Sequence, residues 1–347
     1  MTPALSLGER LCRSLSLVGR LQHPSGEILS YRRDDHGNYV YCRSPLLSTF
    51  VHDALDCFDP TSGGWSDGAV EIVPADARLW FVRTVTAVRR RVRAFLLWQQ
   101  EPAGWWRLFG RGSGMDPDVN TTACAALALA ESYGARGVAR WQRQVDAVLS
   151  FRSGDGRFYT FQKPGRGGYG WVDDAGRAVV GFDRVVNVAV LGCLATLDGR
   201  DSPAARGLRR RLLDEAAGTD LGTGTVLYPN PLAFLHGLCR VWARCELADR
   251  AALADAVLPA LLRAQGPDGD FGGPLSTAMG ASALLELDHR GPERDLARQA
   301  VLRGLHPRGG WPYEDVAVRG FGSPAWTTAL SMAFLARDLD PTGGMVR

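Results

Sequence analysis

The sequence predicts an all-α fold, a single (α/α)6 toroid in which an inner ring of helices is wrapped by an outer ring. Three observations carry this. First, a short pattern recurs: Gln, then Gly four residues on, then an apolar or aromatic residue two further. Gln22–Gly26–Ile28, Gln100–Gly104–Trp106 and Gln265–Gly269–Phe271 follow it, Arg152–Gly156–Phe158 keeps the glycine and aromatic, and His306–Gly309–Trp311 is a shortened form. Second, amphipathic and almost wholly apolar helical stretches alternate along the chain. Third, no linker or low-complexity segment interrupts them, so residues 1–347 read as one domain. Repeats on this scale indicate stacked helical architecture, because each unit buries its apolar face only against its neighbours.

The inner segments are 45–55, 118–130, 183–197, 231–242, 274–287 and 324–339. From Asp118 the chain reads Val-Asn-Thr-Thr-Ala-Cys-Ala-Ala-Leu-Ala-Leu-Ala. A helix apolar on every side is buried on every side. Each of these segments opens with Pro, Ser, Thr, Asp or Asn, which suit N-caps and first turns. The outer segments are 4–21, 76–99, 138–151, 202–217, 249–264 and 292–305. Arginines line one face of each and leucines or valines the other, as in the stretch from Trp80 to Gln99. The glycine after each outer helix suits a left-handed stop. Residues 158–182 alternate around a glycine-rich turn and predict a short β-hairpin insertion over one end of the ring.

Composition narrows the function. Of 347 residues 46% are hydrophobic and 22% charged, which describes a soluble globular chain with a large core. A net charge of +3 gives no footprint for nucleic acid. Lys163 is the only lysine. Seven scattered cysteines without a Cys-x-x-Cys pair indicate buried thiols in a reducing compartment. Cytoplasmic localisation is the expectation. No apolar run is long enough to span a bilayer, and peripheral contact with a membrane stays open.

Polar residues entering the inner helices would ring one mouth of the toroid. In order they are Ser44, Ser48, Asp116, Asp118, Asn120, Thr121, Asp183, Asn187, Tyr228, Asn230, Ser276, Thr277, Ser323, Trp326 and Thr327. Each also fits a helix cap. Asp118 and Asp183 stand out, because they hold matching places in successive units and an asparagine follows each. An unpaired carboxylate in an apolar chamber has a raised pKa and becomes a usable acid. Trp171, Phe182, Tyr228, Trp311, Tyr313, Phe321 and Trp326 supply aromatic faces for sheltering positive charge. Lys163 and Arg166 flank a glycine-rich turn of the kind that cradles anions. His236 and Cys239 have two-ligand helical spacing but no third partner is apparent, and no metal site is expected.

Pro117-Asp118-Val119-Asn120-Thr121-Thr122-Ala123, just after the Gln100–Gly104–Trp106 repeat, resembles the signature of squalene–hopene cyclases and other class II terpene cyclases. That signature reads Pro-Asp-x-Asp-Asp-Thr-Ala, with an Asp-x-Asp-Thr-Thr variant. The resemblance implies an enzyme that cyclises or rearranges an isoprenoid in the central cavity. One toroid in place of the triterpene cyclases' two implies a C10–C20 prenyl chain. No cofactor is implied except Mg2+ where the substrate is a diphosphate. In that family the middle aspartate is the acid, and here Asn120 stands in its place. An amide has no ionisable proton to give. Asp118, Asp183 and Asp116 are therefore the substitute acids, with Asn120 and Asn187 orienting them. The alternative is a non-catalytic isoprenoid-binding protein, or a prenyltransferase β-like subunit sharing the same toroid. The zinc-binding Asp-x-Cys of those subunits is not found at Asp183-Arg184-Val185.

Overall fold

The computed structural model describes residues 5–62, 67–133, 138–161, 181–218, 220–315, 317 and 320–339. The inner helices are α2 (Pro45–Ala54), α5 (Val119–Tyr133), α7 (Arg184–Leu194), α9 (Leu232–Arg244), α11 (Pro274–Glu286) and α13 (Pro324–Asp338). Each packs on the next, and α13 closes on α2. The outer helices are α1 (Leu7–Arg20), α4 (Arg78–Gln99), α6 (Val138–Leu149), α8 (Pro203–Gly218), α10 (Arg250–Ala264) and α12 (Pro292–Gly304). A short α3 (Asp67–Glu71) leads into α4. The predicted double ring is thus the observed one, and helix ends fall close to those read from the sequence.

Burial follows the sequence pattern. Every residue of α13 from Ala325 to Ala336 is buried. By contrast α1 buries only a stripe of Gly8, Leu11, Ser14, Leu15 and Val18. Its start is fixed by a capping box: the Ser6 hydroxyl accepts from the Glu9 amide, and the Glu9 carboxylate accepts from the Ser6 amide.

The recurring Gln-Gly-aromatic pattern encodes one joint, built five times. At Gly26, Gly104, Gly156, Gly269 and Gly309 φ lies between +84° and +95°. In each, the glycine amide donates to the carbonyl three residues back, closing a tight turn after an outer helix. The glycine therefore sits within the turn and not at the helix stop itself. The residue two beyond then reaches inward, and its backbone amide donates to a side chain of the following inner helix. Ile28 donates to Ser48, Trp106 to Thr122, Phe158 to Asn187, Phe271 to Thr277 and Trp311 to Thr328. The indoles of Trp106 and Trp311 also donate to carbonyls of the preceding outer helix, at Leu96 and Val301. Gln22 and Gln265 complete the joint by bonding their own glycine carbonyl and a carbonyl of the next outer helix. The backbone groups bonded in these joints are thereby paired, which removes a penalty of about 1–3 kcal/mol for each.

At the C-terminal ends of the inner helices charge closes the ring. Arg240 on α9 reaches Asp53 on α2 and Glu286 on α11, and Arg337 on α13 also reaches Glu286. Arg244 joins Asp53 to Asp56, and the buried Arg89 of α4 bridges Asp56 and Asp59 at 2.6 and 2.7 Å. This network is the floor, and the mouth lies at the opposite, N-terminal ends.

The hairpin expected over 158–182 falls mainly on residues outside those described. The sheet the structure does describe is elsewhere. Strands β1 (Tyr31–Arg33) and β2 (Tyr39–Tyr41) pair antiparallel, Tyr31 opposite Tyr41, in the connection from α1 to α2. Three-residue strands are too short to show a period in the sequence.

Candidate functional site

The mouth gathers the residues that open the inner helices. Asp118 caps α5: its Oδ1 accepts the Thr121 amide at 2.7 Å. Its Oδ2 is buried with no hydrogen-bond partner. Burial pushes the Asp118 carboxyl up to about 6, and contacts with Thr121 and the Leu108 backbone offset only part of that. Asp183 holds the matching place at α7, but both its oxygens are engaged. Oδ1 accepts from the amides of Val185 and Val186, and Oδ2 accepts from the Thr225 hydroxyl at 2.5 Å. Burial still raises its pKa, against the pull of those bonds. Asp116 is only half-buried and sits within electrostatic reach of Arg107, whose guanidinium pairs with Glu101. Of the three aspartates, Asp118 alone has a buried carboxylate oxygen left unpartnered.

Asn120 lies one residue into α5 and is buried. Its Nδ2 donates to the Tyr228 hydroxyl at 2.6 Å, and the Cys124 thiol one turn on contacts its Oδ1 at 3.7 Å. Tyr228 is buried, and burial together with the negative charge of Asp183 keeps its phenol far above the usual range, so it stays neutral. The Tyr228 amide donates to the Thr225 hydroxyl, which in turn donates to Asp183. A polar chain thus runs from Asp183 through Thr225 and Tyr228 to Asn120 and Cys124. It links α7 to α5 by way of the α8–α9 connection.

Other expected site residues divide. Asn187 is committed to the wall: besides Phe158 it bonds the Asp183 carbonyl. Trp311 likewise packs between α12 and α13 as a joint aromatic, and not at the mouth. Trp326 is on the inner ring, tilted against Phe50 of α2 at 4.5 Å between ring centroids. Thr121 is buried with its hydroxyl unpaired. Asn230 caps α9 through the Leu232 amide and donates to Ser276 across to α11. Phe182 stacks on Tyr159 and carries Arg157 over its ring at 3.8 Å. It lines a pocket of about 270 Å³ between α7 and α8. Lys163, Arg166 and Trp171 lie outside the described residues.

His236 on α9 is half-buried, with Nε2 unpartnered, and burial lowers its pKa to about 4, so the ring is neutral. Among the described residues no group of three or more metal-ligating side chains is assembled.

Two participants were invisible to sequence reasoning. Glu314 caps α11 from the next connection, accepting from the amides of Leu275 and Ser276 and from the Ser276 hydroxyl. The signal was available in negative form: α11 opens at Gly273-Pro274 with no capping side chain of its own. Thr225 sits in an irregular loop, and nothing in the sequence marks it.

The all-α double ring, six inner helices closed on one another and wrapped by six outer ones, is a class II terpene cyclase-like fold. Solved structures bear this out. A protein from Actinoplanes matches with a TM-score of 0.64 at 16% identity, covering 95% of this chain and 98% of that one. The type II terpene cyclase MstE from Scytonema, a variant bound to its substrate geranylgeranyl dihydroxybenzoate, matches with a TM-score of 0.65 at 17% identity, over 95% and 96% of the two chains. The ent-copalyl diphosphate synthase from Streptomyces platensis matches with a TM-score of 0.57 at 16% identity, over 84% of this chain and 50% of that one. No protein-family model and no curated protein sequence matches the chain.

Proposed function

We propose that the chain is a terpene cyclase-like enzyme that holds an isoprenoid inside the ring and starts its cyclisation or rearrangement with the Asp118 proton. The observation that carries this is the Asp118 carboxyl, buried, with Oδ1 capped by the Thr121 amide, Oδ2 unpartnered, and its pKa pushed up to about 6 by burial. A protonated Oδ2 would give its proton to an alkene carbon, whose π pair forms the new C–H bond and leaves a carbocation. An intramolecular alkene then attacks that cation, and loss of a proton from the cyclised cation, returned to the Asp118 carboxylate, ends the sequence and restores the acid. Asn120 and Tyr228 would hold the reacting end in place, and the faces of Phe50 and Trp326 would stabilise the cation by about 0.5–2 kcal/mol each. Exclusion of water by the apolar helices prevents premature capture. The proposed substrate is a C10–C20 prenyl chain, and Mg2+ would accompany it where the head group is a diphosphate.

The test is incubation with geranyl, farnesyl and geranylgeranyl diphosphates and the corresponding alcohols, with products read by gas chromatography–mass spectrometry. Cyclic product that disappears in Asp118→Ala supports the reading. Product formation unchanged in Asp118→Ala refutes the assignment of the acid. A second reading is favoured by the Asn120–Tyr228 bond, which leaves an amide where the cyclase signature has its acid: a non-catalytic isoprenoid-binding protein. Binding without turnover in the wild type, with product appearing in Asn120→Asp, would establish that reading.

A further inference from the structure

We propose that the outward face of α4 is a docking surface for an anionic lipid bilayer. Among the described residues, eight large apolar side chains are conspicuously exposed, and four of them sit on this one helix. They come as two pairs, Leu79 and Trp80 at one end (61% and 44% exposed) and Leu97 and Trp98 at the other (41% and 57%). Eighteen residues separate the tryptophans, so they fall on the same side of the helix about 27 Å apart. Between them on that side stand Arg83, Arg90 and Arg91, all exposed and none paired with a carboxylate among the described residues. The helix contains no Asp or Glu at all. The opposite face, with Phe81, Val85, Val88, Val92, Phe95 and Leu96, is buried against the ring, so the exposed stripe has no role in the core.

This chemistry selects its occupant. Indoles and leucines lying flat beside guanidiniums suit the boundary between acyl chains and acidic headgroups. A second copy docking the same face would oppose arginine to arginine across a twofold axis. A nucleic acid would meet the arginines but give the leucines nothing to bury against. The Trp98 end borders the mouth: Gln99 bonds the Arg111 amide, and Trp106 bonds Leu96 and leads to Asp118. Arg43, which precedes α2, lies over the Trp98 ring at 5.6 Å. A docked α4 would therefore hold the mouth beside the membrane surface.

The experiment is cosedimentation of the full chain with vesicles of phosphatidylcholine alone and of phosphatidylcholine with phosphatidylglycerol in equal parts. Binding is expected only to the acidic vesicles, and it should weaken steeply with added salt. Arg83→Gln/Arg90→Gln/Arg91→Gln should weaken it about a hundredfold. Trp98→Ser alone should weaken it by roughly tenfold and reduce the blue shift of tryptophan emission on binding, leaving the share due to Trp80. All of these residues are exposed, so circular dichroism should match the wild type. Equal binding to both vesicle types, absence of binding, or variants that bind as the wild type does would overturn the proposal. So would loss of dimer, or of duplex DNA binding, in the same variants while vesicle binding persists.

Discussion

Replacing Asp118 with Asn gives the sharpest test of the buried carboxyl, because it separates a charge effect from a capping effect. The amide keeps an oxygen for the Thr121 amide, so the cap survives, and the unpartnered Oδ2 becomes a neutral NH2. In the wild type the folded-state pKa of about 6 stands above the reference value of 3.8. A carboxyl whose pKa is raised by folding contributes its full stability below the unfolded value and loses it as pH rises through the folded one. Two pKa units at 1.36 kcal/mol each amount to about 3 kcal/mol. The stability of Asp118→Asn relative to wild type should therefore climb by about 3 kcal/mol between pH 4 and pH 8, most of it between pH 4 and pH 6. Urea denaturation followed by circular dichroism across that range measures it, and any constant difference in the cap cancels. A stability difference that is flat with pH would refute the reasoning, since it would mean that Asp118 is not a strained acid.

Two further perturbations probe the frame. Gly26 and Gly156 share a positive φ, but a Cβ on Gly26 would come 2.1 Å from the Arg91 carbonyl oxygen, whereas the nearest atom to one on Gly156 is 3.7 Å away. Gly26→Ala should cost about 3 kcal/mol or more and Gly156→Ala about 1–2 kcal/mol, and equal losses in thermal melts would show that backbone strain alone sets the cost. Arg89→Met should destabilise the chain by about 3–5 kcal/mol, because Asp59 is left buried without its cation and Asp56 keeps only Arg244, at 3.6 Å. An unchanged denaturation midpoint would show that those carboxylates find other partners.

The architecture was legible because it is written many times over. Periodic apolar stretches place the twelve ring helices, and the Gln-Gly-aromatic spacing marks five of the joints between them. Position in a repeat also located Asp118 and Asp183 correctly at the heads of adjacent inner helices. It could not distinguish them, since sequence shows where a carboxylate sits and not what it touches. Thr225, from an unpatterned loop, occupies Asp183 and leaves Asp118 as the exception. The same limit hid the difference between Trp326, on the inner ring, and Trp311, sealed within the wall. Trp326 lies in the first turn of its inner helix and Trp311 in the connection before that helix, and the direction of each indole decides what it packs against. Glu314 was missed because it caps a helix that starts 40 residues before it, a partnership that no local spacing encodes.

Five of the six returns from outer to inner helix are spent on holding the wall together, each by the same stitch. Among the described residues the α8–α9 return shows no such stitch, and it is this segment that supplies Thr225 and Tyr228 to the interior. Side chains tie it in instead: Thr225 to the cap of α7, Tyr228 to Asn120 of α5, and Asn230 to the first turn of α9 and to Ser276. A substitution at Thr225 or Tyr228 therefore reaches the heads of α7 and α5 while leaving the five glycine turns as they are.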